Sequence, residues 1–147
     1  VHVALTVGGR PVAGAVSLPV LGEVYATEPA PVRPAVEREQ PLVLVSRSRA
    51  NFDGYRLGSA LDAQIGTIGS AGVKAMLVVR GEADVYAHGG GLYEWDTCAP
   101  EAVAAAAGLF VSTADGAPID YNHPDPWVPG FVVCRPELAD QVIAALA

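Results

Sequence analysis

The stretch Leu42-Val43-Leu44-Val45-Ser46 is a continuous apolar run between Pro41 and the polar residues Arg47-Ser48-Arg49. A run of this kind is typical of a β-strand that is buried on both faces, where no alternation with polar residues is needed. After it, apolar residues recur at helical spacing from Asp53 to Gln64, and residues 64–68 return to a short strand pattern. The order strand, helix, strand predicts a central strand with a parallel neighbour.

Toward the carboxyl end, Ser70 is placed to cap a helix over residues 71–80, which Gly81 ends. A second helix is predicted over residues 97–107, preceded by Asp96, with Pro100 in its first turn and Gly108 at its end. The remaining predicted elements are strands at 83–87, 109–113, 119–121 and 131–135, a turn at Asp115-Gly116 and a helix at 136–147.

Toward the amino end, residues 3–7 and 12–18 predict an antiparallel hairpin, because Gly8-Gly9 accepts the positive φ angles of a tight turn. Residues 22–27 predict a third strand, and the proline-containing stretch 28–40 an exposed loop. An antiparallel hairpin followed by alternating strands and helices predicts the α/β class, with a layered, mixed sheet architecture.

The composition excludes several classes of function. With 147 residues and 51% hydrophobic content, the chain has the size and core of one domain. No apolar run approaches the roughly 20 residues that span a bilayer, and a net charge of −7 disfavours a nucleic-acid polymer as partner. Two cysteines outside C-x-x-C spacing indicate a reducing, cytoplasmic location. An opening at Val1, inside an alternating apolar stretch, favours a truncated chain.

The first chemically informative stretch is Gly69-Ser70-Ala71-Gly72-Val73-Lys74. Small residues let the backbone approach a ligand here, and the helix that follows directs free amide groups outward, as an anion requires. The alternative is a plain turn in which Ser70 is only an N-cap.

The second informative stretch is Glu94-Trp95-Asp96, which follows three glycines and precedes an alanine-rich helix. A carboxylate in this position can bind Mg²⁺, which takes one or two protein carboxylates together with water and substrate phosphate. The alternative is an aspartate N-cap beside a packing tryptophan.

Together these motifs resemble a known family. The run 94–100, Glu-Trp-Asp-Thr-Cys-Ala-Pro, is similar to the second signature of the inositol monophosphatase superfamily, and Gly69-Ser70-Ala71 to its G-[ST]-A turn. Residues 115–122 resemble the D-G-x-P-L-x-Y-N segment of bisphosphate nucleotidases, with the actinobacterial CysQ type as the best match. The resemblance covers the whole chain and implies the carboxy-terminal half of an αβαβα sandwich, a single partial domain over residues 1–147.

The resemblance implies a Mg²⁺-dependent phosphomonoesterase that converts 3′-phosphoadenosine 5′-phosphate to AMP in sulfate assimilation. Its expected partner is a small phosphorylated substrate, with homo-oligomerisation left open and with no nucleic acid or membrane partner. Two alternatives remain: an inositol or sugar phosphate phosphatase of the same superfamily, and a non-catalytic binding or assembly fragment.

The implied roles of individual residues follow from the same resemblance. Asp96 is the expected catalytic residue and metal ligand, and it also contacts substrate. The expected substrate-binding residues are Gly69, Ser70, Ala71, Lys74, His88 and Asp96. For Lys74 the alternative is a solvated helix cation, and His88 stands where related nucleotidases have arginine.

The family's first acidic signature, D-P-[IL]-D-G-T, does not occur in the sequence, and Asp125-Pro126-Trp127 does not replace it. We therefore expect this chain to supply about one acidic ligand and to be inactive alone. Three further candidates are weaker: Cys98 as a nucleophile, and His2 and His123, which are both expected to be ordinary strand or surface histidines.

Overall fold

The computed structural model describes residues 1–47 and 52–147. Ser48 and Arg49, which belong to the polar stretch predicted to follow the central strand, lie outside these residues. Ten strands and four helices are assigned within them. They are β1 (His2–Val7), β2 (Arg10–Leu18), β3 (Glu23–Ala26), β4 (Leu42–Ser46), α1 (Phe52–Leu61), β5 (Gln64–Ile68), α2 (Ala71–Val79), β6 (Val85–His88), β7 (Leu92–Tyr93), α3 (Glu94–Ala106), β8 (Phe110–Ser112), β9 (Trp127–Val128), β10 (Phe131–Cys134) and α4 (Ala139–Leu146), with a 3₁₀ turn at Pro136–Leu138.

The central layer is a five-stranded sheet in the order β5-β4-β6-β10-β8. Strand β4 pairs in parallel with both β5 and β6, so the predicted central strand with a parallel neighbour is confirmed. Leu44 on one face of β4 packs with residues of α2 and α3, while Val43 and Val45 on the other face pack with residues of α1 and α4. The unbroken apolar run is explained, because both faces of β4 are buried.

A second, three-stranded sheet joins β1, β2 and β3 in that order, as predicted for the hairpin and the strand after it. One face of this sheet packs on α3. Gly14 in β2 permits the close approach, since a Cβ there would lie 2.8 Å from the Cβ of Ala102. On the other face Val3 and Leu5 are 66% and 58% exposed, so this face is apolar and uncovered in the chain.

The start of α3 and the strand predicted at residues 119–121 differ from the structure. Helix α3 begins at Glu94 rather than after Asp96, so Pro100 lies in its second turn. An aspartate before an alanine-rich run has the pattern of an N-cap, but Asp96 is the third helical residue and accepts the Tyr93 N–H. Residues 119–121 form no strand, because Tyr121 N–H donates to the Gly9 carbonyl in the hairpin turn instead of joining a ladder.

The two-residue strands β7 and β9 pair antiparallel beside the start of α3 and were not predicted. Strands of this length have too few residues to show any alternation. In the part of the chain that the structure describes, no helix has both the length and the apolar character needed to cross a bilayer.

Candidate functional site

The first junction of the site is the turn between β5 and α2. Ser70 has a φ of 65°, and its hydroxyl accepts the N–H of Val73 at 3.3 Å. Ser70 is therefore an N-cap, as predicted. Its backbone conformation is one that residues other than glycine rarely adopt.

Lys74 lies underneath this turn and is only 2% exposed. Its ammonium donates to the Ser70 carbonyl at 2.9 Å and to the Ile68 carbonyl at 3.3 Å. The ammonium also lies 4.7 Å from the centroid of the Tyr86 ring. The alternative prediction of a solvated helix cation is therefore wrong.

Lys74 also connects the two junctions electrostatically. Burial lowers the pKa of its ammonium from the usual 10.5 to about 8, and the negative charge of Asp96 acts in the opposite direction. The fold therefore brings Ser70, Lys74 and Asp96 into one region, although 26 positions separate Ser70 from Asp96.

The second junction is the first turn of α3. The Asp96 carboxylate accepts the Tyr93 N–H at 3.2 Å, and the rings of Tyr93 and Trp95 stack with centroids 4.7 Å apart. Asp96 thus satisfies one free amide of the helix start from inside the helix. The side chain of Asp96 is half-buried.

The donor set for Mg²⁺ is incomplete in the part of the chain that the structure describes. No group of three or more histidine, cysteine, aspartate or glutamate side chains is gathered there in an arrangement that could hold a metal ion. Asp96 can offer one carboxylate, whereas Mg²⁺ needs six oxygen ligands in octahedral geometry. The described residues do not by themselves make a magnesium site.

Glu94 has a role that the sequence did not reveal. Its carboxylate accepts the N–H groups of Asn122 at 2.9 Å and His123 at 3.0 Å, and its own N–H donates to the Pro126 carbonyl at 2.9 Å. The side chain of Asn122 continues this network by donating to the Thr6 hydroxyl at 2.6 Å. The segment 115–122 that resembles nucleotidases therefore anchors a loop onto α3 and β1.

His88 lies at the carboxyl end of β6 and is buried. Its Nδ1 accepts the N–H of Gly90 at 3.3 Å. Because β4, β5 and β6 run parallel, His88 and the Ser70 turn lie at the same edge of the sheet, separated by β4. That edge is where open α/β sheets bind ligands.

His2 was expected to be an ordinary strand or surface histidine. It does lie on strand β1, but its ring lies between the two junctions. Its Nδ1 lies 3.2 Å from the Trp95 carbonyl oxygen, and its ring faces Gly72 in the first turn of α2. No pattern in the sequence could show this, because the three residues belong to three different elements.

Cys98 lies in α3 and is buried. Burial raises the pKa of its thiol to about 11, with further contributions from the charges of Glu101 and Glu94. A thiol in this state is almost wholly protonated at neutral pH, which disfavours the alternative of a cysteine nucleophile.

Comparison with known proteins agrees with the family resemblance. The model of the inositol monophosphatase family matches residues 1–147. The chain is 39% identical over 155 residues to the 3′-phosphoadenosine 5′-phosphate phosphatase of Mycobacterium tuberculosis, covering 100% of this chain and 58% of that protein. It is 36% identical over 145 residues to the 3′(2′),5′-bisphosphate nucleotidase CysQ of Escherichia coli K12, covering 90% of this chain and 58% of that protein.

Solved structures show the same fold. The inositol monophosphatase of Anabaena superposes with a TM-score of 0.80 at 19% identity, over 99% of this chain and 64% of the other. The inositol monophosphatase of Zymomonas mobilis gives a TM-score of 0.79 at 17% identity, over 99% and 61%. The mixed layered architecture predicted from the sequence is confirmed. The chain spans about 58% of the length of the curated relatives named above.

Proposed function

The chain belongs to the inositol monophosphatase family, and we propose that it is part of a bisphosphate nucleotidase that removes the 3′-phosphate of 3′-phosphoadenosine 5′-phosphate. Two relatives support the substrate class. One is named a 3′-phosphoadenosine 5′-phosphate phosphatase and is 39% identical, and the other is named a 3′(2′),5′-bisphosphate nucleotidase and is 36% identical. One observation carries the proposal. Lys74 donates to the Ser70 turn and is influenced by the charge of Asp96, so these residues lie close together at the starts of two helices.

The two junctions have complementary tasks in this proposal. Gly69, Ser70 and Ala71 line the substrate pocket, and the amides at the start of α2 face the phosphate oxygens, where the helix dipole favours negative charge. Lys74 adds a positive charge directly beneath that turn. His88 borders the pocket from the end of β6 at the same sheet edge.

We propose Mg²⁺ as cofactor, with the Asp96 carboxylate as one of its ligands and as the catalytic residue that this chain contributes. Further carboxylates would have to come from polypeptide beyond this sequence, a proposal supported by the 58% share of the relatives' length that the chain spans. The 147 residues are accordingly part of a domain whose site they share, and their activity alone is expected to be absent. We further propose that the whole protein acts in sulfate assimilation in the cytoplasm, as a monomer or a homo-oligomer.

A non-catalytic binding or assembly role is the second candidate. It is favoured by the lack, among the described residues, of a group of three or more side chains that could hold a metal ion, and by the uncovered apolar face of the β1-β2-β3 sheet. This candidate predicts association with another chain and no turnover under any condition.

Phosphate release tests both candidates. The enzyme is assayed as a chimera in which this chain replaces the matching segment of the M. tuberculosis phosphatase, and the 147-residue chain is assayed beside it. We expect the chimera to release phosphate from 3′-phosphoadenosine 5′-phosphate in a Mg²⁺-dependent reaction, faster than from an inositol monophosphate or a fructose bisphosphate, while the chain alone releases none. A folded chimera without turnover would contradict the proposal, and preference for inositol monophosphate would change the substrate.

A further inference from the structure

We propose that His2 is a positioning residue, which holds the first turns of α2 and α3 at a fixed separation so that the Ser70 turn and Asp96 face the same ligand. The positioning role rests on the proposed function, whereas the bridge between the two helices rests only on the contacts that His2 makes. His2 lies on β1, so its ring joins a third element to the two helix starts.

The contact with α3 determines the tautomer of the ring. Nδ1 lies 3.2 Å from the Trp95 carbonyl oxygen, and a carbonyl can only accept a hydrogen bond. In the neutral ring Nδ1 therefore carries the proton, and Nε2 presents a lone pair. Trp95 directly precedes Asp96, so the hydrogen bond acts on the backbone that carries the proposed metal ligand.

The contact with α2 is steric. A Cβ atom at Gly72 would lie 2.1 Å from Nε2 and 2.9 Å from Cε1 of His2, so a larger residue there would displace the imidazole ring. Gly72 follows Ser70 by two positions and lies in the first turn of the helix, where glycine is a poor helix former. The glycine is explained because it makes room for the ring.

Nε2 is the ring atom nearest to the Gly72 position in the amino-terminal turn of α2, where the helix dipole is positive. One imidazole thus donates to the start of one helix and places an acceptor nitrogen near the start of the other. A shift of this ring changes the distance between the Ser70 turn and Asp96. Displacements of about 1 Å in a catalytic site can cost about 100-fold in rate.

Two variants of the chimera separate positioning from packing. His2→Leu fills space similarly but has no polar atom, whereas His2→Asn can place its amide N–H near the position of Nδ1. We expect His2→Leu to lower kcat about 10-fold or more with less than about a threefold change in KM, and His2→Asn to recover part of kcat. An unchanged kcat in a folded His2→Leu protein, or equal loss in both variants, would overturn the positioning role.

A double-mutant cycle tests the contact with Gly72 and needs no turnover. In urea unfolding of the full 147-residue chain and of the chimera, we expect Gly72→Ala to destabilise the parent protein but to be neutral or stabilising when His2 is already alanine. Additive effects of Gly72→Ala and His2→Ala would overturn the proposed contact.

The two measurements also distinguish the two proposals. An unmodified chimera that is folded but inactive overturns the proposed function, while the unfolding cycle still supports or overturns the bridging contact of His2. An active chimera whose kcat is unaffected by His2→Leu overturns the positioning role and leaves the proposed function in place.

Discussion

The starts of α2 and α3 are built in opposite ways, although they lie in the same site. Helix α2 begins with a neutral N-cap, Ser70, and holds a buried ammonium, Lys74, in its first turn. Helix α3 begins with Glu94 and Asp96, whose negative charges complement the helix dipole. A cation at the start of a helix is locally unfavourable, so the arrangement at α2 makes sense when a negatively charged ligand completes it.

Under the proposed function, this difference gives each helix its own part of the ligand. The positive junction at Ser70 and Lys74 suits phosphate oxygens, and the negative junction at Asp96 suits a cation. Changes that remove the charge of one junction should therefore affect the protein differently from changes at the other. The predictions that follow run from the largest expected effect to the smallest.

The largest expected effect on stability is the pH dependence that Lys74 brings. Its pKa is about 8 in the folded protein and near the usual 10.5 when unfolded, so between these values the unfolded chain holds the additional proton. The free energy of unfolding contributed by Lys74 must then rise with pH from about 8 to 10.5, by up to about 3 kcal/mol. Urea unfolding of the parent chain and of Lys74→Met at pH 7.5 to 10.5 measures this.

The comparison uses the difference between the two proteins, because groups whose pKa does not depend on Lys74, such as the buried Cys134 thiol, contribute equally to both. We expect the free energy of unfolding of the parent to increase relative to that of Lys74→Met as the pH rises. A difference that stays constant would show that Lys74 is not desolvated by the fold.

The second prediction concerns the backbone of the Ser70 turn. Ser70→Ala removes the N-cap and should cost about 1 kcal/mol of the free energy of unfolding. Ser70→Gly also removes the hydroxyl but suits a φ of 65°, so it should cost about 0.5–1 kcal/mol less than alanine. Equal losses in thermal or urea unfolding would mean that the turn carries no backbone strain.

The third prediction concerns Glu94 at the other junction. Glu94→Ala removes the acceptor of the Asn122 and His123 N–H groups and should cost about 1 kcal/mol, since both groups are exposed to water. Amide hydrogen exchange should show faster exchange at these two residues and no change in the first turn of α2. Exchange that accelerates equally in both places would contradict the separation of the two junctions.

The smallest expected effect on function is that of removing the Cys98 thiol. With its pKa raised to about 11, the thiol should react with iodoacetamide at pH 8 roughly 100-fold more slowly than a free cysteine. Cys98→Ala should leave turnover of the chimera within about twofold. A larger loss of turnover, without loss of fold, would return Cys98 to the list of catalytic candidates.

The sequence predicted the architecture where local patterns were strong. The run at residues 42–46 showed a strand buried on both faces, and Gly8-Gly9 showed the hairpin, because burial and turn geometry act on neighbouring residues. The start of α3 was predicted wrongly, since an aspartate inside a first turn and one at the N-cap have the same local pattern.

The sequence pointed to the two junctions of the candidate site, but not to the residues that hold these junctions in place. Resemblance to a family pointed to Ser70 and Asp96, yet the burial of Lys74, the loop held by Glu94 and the position of His2 depend on contacts between distant segments. Such contacts leave no spacing signal in a single sequence. The substrate and metal roles of the predicted residues remain predictions.

The measurement that tests the central claim most directly is Mg²⁺-dependent phosphate release by the chimera carrying Asp96→Asn, beside Asp140→Asn as a matched control on the exposed start of α4. We predict that Asp96→Asn loses at least about 100-fold in kcat while it unfolds like the parent, and that Asp140→Asn keeps full turnover. Near-normal Mg²⁺-dependent turnover in a folded Asp96→Asn protein would contradict the assignment of this site.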